Sequence, residues 1–127
     1  MKKTFTKEQI IFQYEKSCEI IKQATLDGDY KKNNKEGKLI IQIYKYLEEN
    51  KELSNNILHE LFYSGNVVTR TKAAAHCLSL GLWVQEAVEI LENAATDKST
   101  GIFGFNAKMT LKVWKEQGKL KVYSEQK

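Results

Sequence analysis

Four groups of side chains in this chain are of types that do chemistry. His76 with Cys77, and His59 further up, are residue types that ligate zinc. Cys77 beside His76 also brings a thiol next to a base, the pairing that activates a nucleophile. Glu86, Glu89 and Glu92 recur every third residue, which gathers three carboxylates on one helix face for a cation or a basic partner. Lys31, Lys32, Lys35 and Lys38 cluster beside Tyr30, and Lys112, Lys115, Lys119 and Lys121 follow later. Such lysines displace counterions from phosphates in nucleic-acid binders. The aromatics Trp83, Phe103, Phe105 and Trp114 could line a pocket.

Each group also has a plainer reading. A zinc site needs three or four convergent ligands, and the chain holds two histidines. Consecutive helical residues point about 100° apart, so His76 and Cys77 diverge, whether as ligands or as a thiol and its base. Cys77 and Cys18 fall in apolar stripes, as small buried hydrophobes do in a reducing cytosol. His76 is then expected at the surface. Solvated faces account for the glutamates and for most of the lysines. Arginine is the main reader of bases, and Arg70 is the only one in the chain; it is expected to bond to helix ends or turn carbonyls. Phe103 and Trp114 lie in register with a core stripe and are expected buried. Phe105 and Trp83 fall off that register and are expected as exposed contact residues. The sequence assigns no catalytic residue, no metal ligand and no cofactor.

The elements that position these residues are helical. The chain has no proline, so breaks must come from glycines and from Asn and Asp clusters. A first helix is expected over 5–26, opened by Thr6 and Gln9 in a capping pattern, with Ile11, Tyr14, Cys18, Ile21 and Thr25 as its stripe. A second covers 30–50, burying Ile40, Ile43, Tyr44 and Leu47, its polar first turns expected to fray or project. A third covers 53–63. The turn Tyr63-Ser64-Gly65-Asn66 offers Gly65 as a left-handed cap and Asn66 as the next N-cap. Helices over 67–80, 83–95 and 102–117 follow, and 120–123 carries a short strand-like alternation.

Two stretches repeat at a spacing of 33 residues: Ile57 to Gly81, and Ile90 to Trp114. Ile57-Leu58 aligns with Ile90-Leu91, Leu61-Phe62 with Ala94-Ala95, and Ala74 and Leu78 with Ala107 and Leu111. A repeat of this length marks a stacked-helix array. The expected fold is all-α: about six helices, the last four forming two stacked hairpins over 53–118. Residues 5–50 form an N-terminal helical pair that covers one end, within a single domain of 127 residues.

The stretch SGNVVTRTKAAAHCLSLG resembles a HEAT-type repeat: a polar turn Ser64-Gly65-Asn66, then Arg70, the small pair Ala73-Ala74, a leucine and a closing Gly81. Asn66 stands where the pattern has aspartate, and Thr69 where it has valine; in the second unit Phe103 stands in place of Arg70. Residues 53–118 together look like a family of small bacterial helical proteins of unknown function. The resemblance implies the fold and a bacterial origin, and it transfers no catalytic residue. By analogy, small helical proteins in bacteria include immunity partners of secreted toxins.

The net charge of +4 is uneven: +3 over residues 1–38, −3 over 39–107 and +4 over 108–127. That is weaker than a nucleic-acid footprint. No apolar run is long enough for a membrane span, and the basic N-terminus lacks the apolar segment of a secretory signal. The expected function is a cytoplasmic protein-interaction module, with an immunity or regulatory role among its forms. Its groove is expected along the second helix of each hairpin, near Arg70, Lys72, His76, Asn106 and Lys108, with Trp83 and Phe105 as contact residues. The alternative is nucleic-acid binding through the basic ends.

Overall fold

The protein is described from a computed structural model covering residues 5–123. Six α-helices make up the described chain: α1 Lys7–Asp27, α2 Tyr30–Glu48, α3 Lys51–Leu61, α4 Val67–Leu80, α5 Val84–Thr96 and α6 Ile102–Gln117. A single 3-10 turn, Lys98–Thr100, precedes α6. No strand occurs among the described residues, and no helix is long and apolar enough to cross a membrane.

Local chemistry sets most boundaries. The Thr6 hydroxyl accepts from the Gln9 amide at 3.1 Å while the Gln9 side chain accepts from the Thr6 amide at 2.9 Å, which satisfies two amides that a helix start leaves unpaired. Asp29 caps α2 and Asn66 caps α4, through Lys32 and Val68 amides. The Asn50 amide group donates to the Tyr46 carbonyl at 2.7 Å and closes α2. The α2 N-terminus does not fray: it is helical from Tyr30, and Asn33 donates to the Thr25 hydroxyl of α1.

Gly65 departs from expectation, because its backbone stays outside the left-handed region. Side chains close that turn instead. The Ser64 hydroxyl accepts from the Asn66 amide, and the Arg70 guanidinium donates to the Ser64 carbonyl at 2.8 Å. With its polar groups paired in this way, the turn needs no glycine conformation.

α4 is the central rod, packed against α1, α3, α5 and α6. Its Ala73, Ala74 and Cys77 are fully buried, and such small residues let neighbouring helices approach closely. The repeat survives in burial. Leu58 and Leu91, Leu61 and Ala94, Ala74 and Ala107, and Leu78 and Leu111 are buried pair by pair, while Ile90 and Ala95 are half-buried where their counterparts Ile57 and Phe62 are buried. α1 packs on α2, α3 and α4, so the N-terminal pair lies against the first hairpin. Its inward stripe is Ile10, Tyr14, Ser17, Cys18, Ile21 and Ala24, one position off the expected one at each end.

Thr69 accounts for its own departure from the repeat pattern. It is fully buried, and its hydroxyl donates to Glu15 Oε1 of α1 at 2.8 Å. The Ser64 hydroxyl donates to the same oxygen at 2.8 Å. One carboxylate therefore ties α1 to the turn that opens α4, a contact valine could not make.

Beyond α6 the chain folds back rather than forming a strand. The Leu120 carbonyl accepts from the Ser79 hydroxyl at 3.0 Å, and Tyr123 meets the Tyr44 ring edge-on while donating to Glu48 Oε1 at 2.8 Å.

Candidate functional site

The two second helices of the hairpins, α4 and α6, form the walls of a groove of about 340 Å³, closed at one end by α1 and α2. Its floor is apolar: Ile21, Val68, Ala75, Phe103 and Ala107. Its polar groups are Thr25, Asn33, Thr71, Asn106, Thr110 and Lys72. Four of these are committed locally, since Thr71 donates to the Val67 carbonyl, Thr110 to the Asn106 carbonyl, and Asn33 to the Thr25 hydroxyl. The Asn106 amide and the Lys72 ammonium have no such commitment among the described residues. The lining holds no acid, and Lys72 is its one charged residue.

Of the seven residues expected at a partner surface, only Lys72 and Asn106 line this groove. Arg70 is engaged in the α3–α4 turn, as its structural reading anticipated. Lys108 lies in the neighbouring furrow between α5 and α6, with Leu111, Lys112 and Glu92. Phe105 is exposed at 58%, as expected, on the outer side of α6.

His76 requires a correction. It is buried at 4% exposure, not at the surface, and so cannot touch a partner. Its Nδ1 lies 2.9 Å from the Tyr14 hydroxyl, and its ring packs against Tyr14 and Tyr44. Burial, with Lys72 nearby, drives the imidazole pKa down to about 3. The ring is therefore neutral, and it shares its hydrogen bond with the Tyr14 hydroxyl, whose own pKa burial pushes up. Cys18 and Cys77 are buried free thiols, as expected, with burial raising them to about 11 and about 12. Thiols held so far from ionisation are inert as nucleophiles at neutral pH.

Trp83 begins α5 in a left-handed conformation (φ 48°) that non-glycine residues seldom take. Its indole N–H donates to the Asn55 carbonyl at 2.9 Å, and its ring stacks on His59 at 4.0 Å between centroids. His59 Nε2 in turn lies 3.1 Å from Glu86 Oε2. Trp83 is thus partly exposed but occupied as a clasp between α3 and α5. Glu86, Glu89 and Glu92 do share one side, where they line a cleft of about 390 Å³ with Phe62 and Tyr63. Lys115 reaches Glu92 at 3.9 Å. Phe103 is buried, and Trp114 is half-buried against the core. No group of three or more metal-ligating side chains converges among the described residues.

Sequence reasoning missed Ile102 and Met109. Both are exposed beside Phe105 on the side of α6 opposite its buried face. Their spacing was visible, but the stronger core stripe of the same helix masked it. Thr25 and Asn33 were also missed as groove residues, because they arrive from the N-terminal pair.

No protein-family model, no curated protein and no solved structure matches this chain.

Proposed function

We propose that this chain is a non-catalytic protein-interaction module of HEAT-like hairpins, acting in the bacterial cytoplasm, whose primary contact is the groove between α4 and α6. The observation that carries this reading is the composition of that groove: an apolar floor, uncommitted Asn106 and Lys72, and no acid. A carboxamide offers both donors and an acceptor, which suits the alternating N–H and C=O groups of a partner backbone. The lone ammonium suits a partner carboxylate. Inert thiols and a neutral buried histidine agree with a binding role. An immunity or regulatory role is the form suggested by the resemblance to small bacterial helical proteins.

The test is photo-crosslinking in the native host. Benzoylphenylalanine at Thr110, in the groove wall, should capture one dominant protein. The same probe at Gln23, exposed on α1, should not. Adding Lys72→Ala and Asn106→Ala should abolish the adduct while the helical spectrum is kept. Equal capture from both positions would reject the groove. Affinity for DNA or RNA that falls steeply with salt, with a log–log slope beyond about −3, would assign the chain to nucleic-acid binding through its lysines instead.

A further inference from the structure

α6 is apolar on two opposite sides. Phe103, Ala107 and Leu111 face the core. Ile102, Phe105 and Met109 follow i, i+3, i+7 spacing on the far side and are exposed at 47%, 58% and 39%. The last helix of a stacked array ordinarily turns a polar face outward, because nothing packs beyond it. Here a stripe about two turns long does the reverse. At 100° per residue, Lys108 and Lys112 border the stripe along one edge, and Asn106 and Thr110 along the other. Lys108 and Lys112 are exposed, share the α5–α6 furrow with Glu92, Lys115 and Glu116, and form no ion pair among the described residues, whereas Lys115 reaches Glu92 at 3.9 Å.

We propose that this outer face of α6 docks an amphipathic helix of a partner protein, with an apolar stripe edged by glutamate or aspartate. Charge complementarity selects this occupant over a second copy of the chain. In a two-fold antiparallel pairing of α6 with its copy, the lysine edges fall on the same side of the contact, so Lys108 and Lys112 meet their own kind. A two-fold parallel pairing brings together two helix N-termini, both positive ends, at Gly101, where no side-chain cap is present. A helix carrying acids along the edge that meets the lysines relieves both problems and buries the stripe. The stripe shares the edge residues Asn106 and Thr110 with the groove wall but none of the groove's apolar floor, so its role is tested apart from the groove's through residues the two do not share.

The test uses the full chain and two stapled amphipathic peptides of about five turns. They share a leucine stripe and differ only in carrying glutamate or lysine along the edge. At about 50 mM salt the glutamate peptide should bind at least about tenfold tighter than the lysine peptide, an advantage that shrinks as salt screens the edge. Amide shifts should centre on Ile102, Phe105, Lys108, Met109 and Lys112. Phe105→Ser, a change at an exposed position, should weaken binding by about tenfold or more. Lys108→Glu with Lys112→Glu should reverse the preference between peptides without touching the stripe. Lys72→Ala, on α4 and away from the stripe, should leave peptide affinity within about twofold, which separates failure of this face from failure of the groove. Equal affinities for the two peptides, or shifts centred on another helix, overturn the proposal. So does self-association at tens of micromolar that Phe105→Ser abolishes, because it hands the face to a second copy.

Discussion

Gly104 and Gly37 sit inside helices, and the structure assigns opposite signs to their replacement by alanine. At Gly104 an added Cβ would lie 2.6 Å from the Ala94 carbonyl oxygen and would collide with the Thr100 hydroxyl. That hydroxyl plugs the end of α5, donating toward the Ala94 carbonyl at 2.8 Å and the Asp97 carbonyl at 2.7 Å. The Ala94 carbonyl is an acceptor that a helix C-terminus leaves without a backbone partner, whereas the Asp97 carbonyl also accepts from the Thr100 amide at 3.1 Å. Gly104→Ala gains about 1 kcal/mol of helix propensity. Against this, overpacking costs about 1–3 kcal/mol, and turning Thr100 aside loses about 1 kcal/mol of hydrogen bonding. The net loss is about 1–3 kcal/mol. At Gly37, within α2, an added Cβ meets nothing within 4 Å. Gly37→Ala should therefore stabilise by about 0.5–1 kcal/mol. Urea unfolding followed by helical circular dichroism reads both, as midpoints shifted in opposite directions at unchanged slope. Gly104→Ala combined with Thr100→Ala should recover only part of the loss, since the Ala94 carbonyl remains. A Gly104→Ala protein as stable as the parent would refute the account of the α5–α6 junction.

Three further outcomes follow from buried groups. Glu15→Ala strands the fully buried Thr69 hydroxyl and should cost about 1–3 kcal/mol; a double-mutant cycle with Thr69→Val should show coupling above about 0.5 kcal/mol, and additivity would contradict the shared bond. His76 has a folded pKa of about 3 against an ordinary value of 6.5. Between those values the unfolded chain binds a proton that the native chain refuses, so stability is fully present above pH 6.5 and falls as the pH drops toward 3. The slope approaches about 1.4 kcal/mol per pH unit, and in His76→Gln the acid limb should flatten by that amount; parallel curves for the two proteins would show the histidine to be exposed. Cys18 and Cys77 should react with a thiol reagent only on unfolding, with labelling rates that follow the unfolding equilibrium; prompt reaction of either in native buffer would contradict their burial.

What could be read from sequence was local. Thr6 with Gln9, Asn66, Gly81 and Gly118 set helix ends through bonds that span a few residues, and the expected bounds of α4 and α6 coincide with the observed ones. Gly65 was misread because the turn is satisfied from Arg70, after the helix has begun. His76 was misread for a stronger version of the same reason. Its partner Tyr14 lies 62 residues away in sequence, and no local pattern distinguishes a satisfied buried histidine from a solvated one. The groove was half legible: Lys72 and Asn106 belong to the repeat, whereas Asn33 and Thr25 depend on how the N-terminal pair docks. The outer stripe of α6 was hidden by its own helix, since two opposed apolar faces blur the single 3.6-residue period that sequence reading seeks.

Both proposed surfaces use α6, and α6 is pinned at each end. At its start, Gly104 lets the helix close onto Thr100 and the C-terminus of α5. Past its end, Leu120 is held by Ser79 of α4, and Tyr123 by Glu48 of α2. A helix fixed twice presents its groove wall and its outer stripe without further ordering, which lowers the entropic cost of binding on either side. The consequence separates positioning from contact. Gly104→Ala should weaken ligands of both surfaces together, since it moves the helix that carries them. Phe105→Ser should affect only the outer face, and Lys72→Ala only the groove. If Gly104→Ala weakened one surface and spared the other, α6 would not be acting as a single rigid element, and the two sites would have to be explained apart.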